Sequence, residues 1–88
     1  MNYRSRTEIV VRILDAANGG ATKTKIMYNA FLSYNQLREY LTMLIKNELI
    51  EYLDGNKIFR TTENGLNLLK IHNEIGEILQ TTTIKTII

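Results

Sequence analysis

Along the first half of the chain, apolar residues recur at intervals of three and four in separate runs, which is the mark of short helices that each bury one face. Ile9, Val10, Ile13, Leu14 and Ala17 make the first stripe. A helix is predicted there over about residues 7–17, with Thr7 as its cap and Asn18-Gly19-Gly20 as its stop. Thr22 then caps a second helix over residues 23–30, in which Ile26, Met27 and Ala30 face inward while Lys23 and Lys25 stay wet. The third stripe is Leu37, Tyr40, Leu41, Leu44 and Ile45, and predicts a helix over about residues 34–47. Its start is legible in chemical terms. Ser33 precedes Gln36 by three residues, the spacing at which hydroxyl and amide each satisfy an orphan backbone N–H.

Beyond the third helix the period changes. Leu49-Ile50-Glu51-Tyr52-Leu53 and Lys57-Ile58-Phe59-Arg60 are rich in β-formers, and Asp54-Gly55-Asn56 between them is a hairpin signal because Gly and Asn tolerate positive φ. Three helices followed by a hairpin predict a winged helix-turn-helix, mainly α with a small β-hairpin (an α+β chain), over residues 1–62. The wing is the loop at residues 54–57. A last helix is expected over residues 63–80, capped by Thr62 or Thr61 and weakened at Gly65 and Gly76 by about 1 kcal/mol each relative to Ala. The β-branched tail, residues 81–88, is poor helix material and is expected either to fray or to add an extended strand.

The last helix carries apolar residues on two faces, so two partners are expected. Leu66 and Leu69 suit docking onto the chain's own domain, whereas Leu68, Ile71, Ile75 and Ile78 follow the 3-4-3 spacing of a coiled-coil seam. That seam predicts a homodimer. With fewer than three heptads, it would need help from the domain or the tail.

Size and composition narrow the function classes. At 88 residues the chain is one small domain, for which disulfides, metal or oligomerisation often assist. There is no cysteine, and the single histidine, His72, is a poor basis for a zinc site or a nucleophilic triad. Glu63, Glu74 and Glu77 have no metal-site spacing. No catalytic group, metal site, cofactor or small-molecule substrate is evident, so a non-enzyme is expected. With no membrane-length apolar run and no signal-peptide layout at the amino terminus, a cytoplasmic, nucleoid-associated protein is expected. The net charge is +2 and uneven: residues 1–30 carry five basic and two acidic groups, residues 31–60 four of each, and residues 61–88 two and three. The basic excess lies before and within the first half of the helix-turn-helix.

At about 100° per residue, the third helix turns Asn35, Glu39, Thr42, Met43 and Lys46 away from its buried stripe, with Gln36 and Arg38 on the shoulders. Amide, guanidinium and ammonium groups read base edges or grip phosphate. The expected double-stranded DNA contacts are Lys23, Lys25, Ser33, Tyr34, Asn35, Gln36, Arg38, Thr42 and Lys46, with Lys57, Arg60, Arg4 and Arg6 as backbone contacts from the wing and the amino terminus. Tyr28 and Tyr40 are expected to pack with their hydroxyls at the rim; Tyr34 is as well placed for DNA as for packing. Glu39 would repel phosphate, so pairing with Arg38 or a neighbouring lysine is expected. The resulting expectation is a dimeric DNA-binding protein, a transcriptional regulator in preference to an architectural one given the modest charge. The rival is a winged helix that docks proteins and does not touch DNA.

The run Lys-Thr-Lys-Ile-Met-Tyr-Asn-Ala-Phe-Leu-Ser-Tyr at residues 23–34, followed by Tyr40-Leu41, Leu44, Leu49-Ile50, Thr62, Gly65 and Leu68-Leu69, resembles the archaeal winged-helix DNA-binding proteins of the crenarchaeal chromatin type. The similarity covers about residues 5–80. It implies double-stranded DNA as partner and a dimer built on an antiparallel coiled coil of carboxy-terminal helices. One departure bears on the dimer geometry: the last helix is expected to be shorter here, with a Thr/Ile tail in place of the extended coil.

Overall fold

The computed structural model describes residues 5–87, and the side chains of residues 5–79. Arg4 lies outside the described residues. In chain order the elements are α1 (Arg6–Ala16), α2 (Lys23–Ala30), α3 (Tyr34–Lys46), β1 (Ile50–Leu53), β2 (Ile58–Thr61) and α4 (Glu63–Ile87). The cap of α1 is Ser5, not Thr7: its hydroxyl accepts the Glu8 N–H at 3.1 Å. Thr22 caps α2 as expected, accepting from Lys25 N at 3.2 Å. At α3 the capping box is complete, since Gln36 N donates to Ser33 Oγ at 3.2 Å and Ser33 N donates to Gln36 Oε1 at 3.0 Å.

Ile13, Leu14, Ala17, Ile26, Ala30, Leu37, Leu41, Leu44 and Ile50 form the buried centre, closed by Leu32, Ala21 and Phe59. Thus α1, α2 and α3 meet on the stripes their spacing predicts. The flanks of the α3 stripe differ from expectation: Met43 is half-buried against the core and Ile45 is exposed. The hairpin pairs Ile50 with Thr61 and Leu53 with Ile58 in antiparallel register. Ala21 adds a short third rung, exchanging both backbone hydrogen bonds with Phe59 at 2.8 Å. In the wing the left-handed residue is Lys57, at φ 55°, and not Gly55 or Asn56. The turn bonds Asn56 N to Leu53 O and Lys57 N to Asp54 O carry that geometry.

Neighbouring threonines divide the work of starting α4. Thr61 is buried and donates to Leu14 O at 2.6 Å, tying β2 to α1. Thr62 is the cap: its hydroxyl accepts from Gly65 N at 3.1 Å and donates to Glu48 O at 2.7 Å. A Cβ at Gly65 would collide with Leu49 O and Thr61 Cγ2, so glycine there lets α4 cross close to the loop after α3. Leu68 and Leu69 pack against the core, while Leu66 is exposed. Leu68, expected on the seam, therefore belongs at least partly to its own domain, and Leu66, expected to dock, does not. The helix also runs past residue 80 to Ile87 in place of a frayed or extended tail. Adding residues to a nucleated helix costs only the small propensity deficit of each Thr and Ile. Among the described residues no helix is long and apolar enough to cross a membrane.

Candidate nucleic-acid interface

The turn between α2 and α3 is built on Phe31, held at φ 54° as the C-cap of α2, with Phe31 N bonding Tyr28 O at 3.3 Å and Leu32 N bonding Met27 O at 3.2 Å. This closes α2 in a reciprocal C-terminal motif and brings Ser33 at once into position to cap α3. A parallel device ends α3. There Glu48 takes φ 58°, Glu48 N bonds Ile45 O at 3.0 Å and Leu49 N bonds Leu44 O at 2.9 Å. Both ends of α3 are thereby fixed, and its outward face is a rigid one.

That face presents Tyr34, Asn35, Gln36, Arg38, Glu39, Thr42 and Lys46, all exposed. Gln36 spends its carbonyl on the capping box but keeps its amide donors free for a partner. Thr42 donates its hydroxyl to Arg38 O at 2.9 Å, so the oxygen offered outward is an acceptor. Lys23 stands beside α3 with its Nζ 5.2 Å from the centre of the Tyr34 ring, a cation–π distance. Lys25 is exposed on α2, and Lys57 is exposed at the wing tip. Of the predicted contacts, Lys23 from the start of α2 and Lys57 from the wing line one depression together with Ile45 of α3.

Arg60, predicted to touch the DNA backbone, instead donates from Nε and Nη2 to Glu51 Oε2 at 3.1 and 3.0 Å. The pair spans the hairpin and is half-exposed, worth about 0–1 kcal/mol, but it removes a free positive charge from the wing. Glu39 shares a shallow depression with Arg6, Gln36 and Tyr40, and the Arg6 guanidinium lies 5.7 Å from the Tyr40 ring. Arg6 is therefore the cation brought to Glu39's side of α3 from another element. Tyr40 is half-buried as expected; Tyr28 is not, being 73% exposed. Sequence spacing also gave no sign of Ile45 and Tyr52, which join Lys23, Lys57 and Phe59 around the depression between α3 and the wing. Alternation along β1 would place Tyr52 on the buried face with Ile50, yet only Ile50 is buried, so the exposure of Tyr52 has no local signal.

At the far end of the molecule, α4 exposes Ile71, Ile75 and Ile78 by 56%, 51% and 63%, with Leu79 beside them. Among the described residues no group of His, Asp and Glu is arranged to hold a metal ion.

Comparison with known proteins gives this architecture its class: the winged helix-turn-helix family matches residues 3–80. The chain belongs to that family. Among solved structures it is similar to Sso10a-2, a DNA-binding protein from Sulfolobus solfataricus, with a TM-score of 0.74 and 26% identity over 94% of this chain and 90% of that one. It is also 35% identical over 77 residues to an uncharacterized protein of Methanocaldococcus jannaschii. That match takes in 86% of this chain but spans only 36% of the relative's length.

Proposed function

We propose that this chain is a double-stranded DNA-binding protein that inserts α3 into the major groove and sets its register on phosphates through Lys23, Lys25 and Lys57. The observation that carries the reading is the rigidly capped, exposed α3 face of Asn35, Gln36, Arg38, Thr42 and Lys46, flanked by lysines from two other elements. The similarity to a DNA-binding protein from Sulfolobus solfataricus supports it. Amide and guanidinium groups on the helix face specify bases, and the flanking ammonium groups position the backbone. The chemistry is binding and not catalysis.

A homodimer completes this reading. Ile71, Ile75 and Ile78 continue a seam whose first member, Leu68, is half-buried at the domain edge, and burial of each isoleucine against a second copy is worth up to about 1.5–3 kcal/mol. Two-fold symmetry then offers two α3 helices to one duplex. A net charge of only +2 favours a sequence-reading regulator over bulk DNA coating. Anisotropy titration of a labelled duplex at a series of salt concentrations tests the DNA reading. Affinity should fall linearly on a log–log plot as salt rises; absence of a complex at low salt and micromolar protein would instead favour a protein-docking winged helix.

A further inference from the structure

The depression between α3 and the wing has a composition that duplex binding leaves unexplained. It is an open cavity of about 380 Å³ lined by Ile45, Tyr52, Phe59, Lys23 and Lys57. Tyr52 is 44% exposed although its ring sits 4.9 Å from that of Phe59, tilted by 45°. Phe59, the cross-strand partner of Tyr52, is buried beside it, and Tyr52 is left partly open. Ile45, 41% exposed, forms the opposite wall. Lys23 belongs both to this cavity and to the contact with the exposed Tyr34 ring. An exposed aromatic ring, Tyr34, thus adjoins a cavity that has an aromatic lining and two lysines, and among the described residues no carboxylate lines it.

We infer that this cavity is a subsite for single-stranded DNA, taking an unpaired base against Tyr52 and Ile45 with the adjoining phosphates on Lys23 and Lys57. In a duplex the base faces are stacked on one another and cannot meet a side-chain ring. An unpaired base offers its face to any exposed ring, and stacking of this kind is tolerant of sequence. The apolar lining suits a flat apolar ligand and the two lysines suit anionic groups beside it; a nucleotide strand supplies both. The inference rests on the nucleic-acid reading above but uses Tyr52, which that reading leaves idle.

The test is anisotropy titration of the full chain with a labelled oligothymidylate of about 12 nucleotides, within the usual site-size range, in parallel with a labelled duplex. The wild type should bind both at low salt. Tyr52→Leu should weaken oligothymidylate binding about tenfold, the loss expected for one stacked base, and change duplex affinity by less than about twofold; Tyr52→Phe, which keeps the ring face, should match the wild type on both. Thermal melting checks that the hairpin survives, and Ile45→Ala, which opens the opposite wall without touching the ring pair, should lower oligothymidylate affinity several-fold as a second reading of the same cavity. Duplex binding without oligothymidylate binding overturns the subsite and leaves the duplex reading intact. So would equal losses on both ligands for Tyr52→Leu, which would make Tyr52 a structural support. Failure to bind either ligand overturns both readings.

Discussion

The two ends of α4 are opposite in what they leave unmet. Near Thr62 the helix is capped, crosses the loop after α3 without a Cβ at Gly65, and sinks Leu68 and Leu69 against the core. From Ile71 to Leu79 the same helix has polar residues and isoleucines alike in solvent. At about 1.5 Å per residue its 25 residues reach about 37 Å, more than the winged domain needs for its own cover. The docked end ties α4 to the core; the other end exposes Ile71, Ile75 and Ile78, the kind of apolar surface that often marks a partner site. The contrast separates a docked stretch of α4 from the exposed stretch on which the proposed dimer rests.

The largest expected effect comes from breaking the free end. Ile71→Lys with Ile75→Lys should raise the dimer dissociation constant at least about a hundredfold, given the burial energy of the residues lost, and should strongly reduce duplex affinity while the circular dichroism of the winged domain persists. At the docked end, Gly65→Ala should cost about 1–3 kcal/mol in urea unfolding, because the added methyl must displace the Leu49 carbonyl or Thr61. If Gly65→Ala melts like the wild type, α4 does not cross the domain as closely as described.

Smaller effects sharpen the account of the interface. Asn35→Ala should redistribute sequence preference in a binding-site selection, by about 1–3 kcal/mol at the base it reads. Ser33→Ala removes the hydroxyl from the capping box and should lower stability by about 1 kcal/mol in thermal denaturation. Lys57→Ala, the mildest, should weaken every duplex alike and reduce the salt slope by about one.

Much of the winged domain could be read from residue pattern because its signals are local. Thr22, Ser33 and Gln36 announce helix starts through hydrogen bonds spanning three residues, and the stripes of α1 to α3 need only helical period. The misread positions depend on neighbours distant in sequence. Met43 and Ile45 lie on opposite flanks of one stripe, and periodicity cannot say which flank the rest of the fold covers. Leu66 and Leu68 pose the same problem on α4, where contact with the Leu49 loop chooses the docking face. Ser5 and Glu8 have the same spacing as Ser33 and Gln36 and so carry the same local signal, but the apolar stripe begins only at Ile9, which favours Thr7 as the start. The Arg60–Glu51 pair follows from hairpin register, which sets residues 51 and 60 opposite each other. That register is joined by a wing turn in which Lys57 holds the left-handed position.

Sedimentation equilibrium of the unmodified chain at tens of micromolar tests the division of α4 most directly. A species of twice the chain mass, returned to the single-chain mass by Ile71→Lys with Ile75→Lys, is the expected result. A monomer in the unmodified protein would contradict the account, and would mean that the exposed isoleucines of α4 do not serve a second copy.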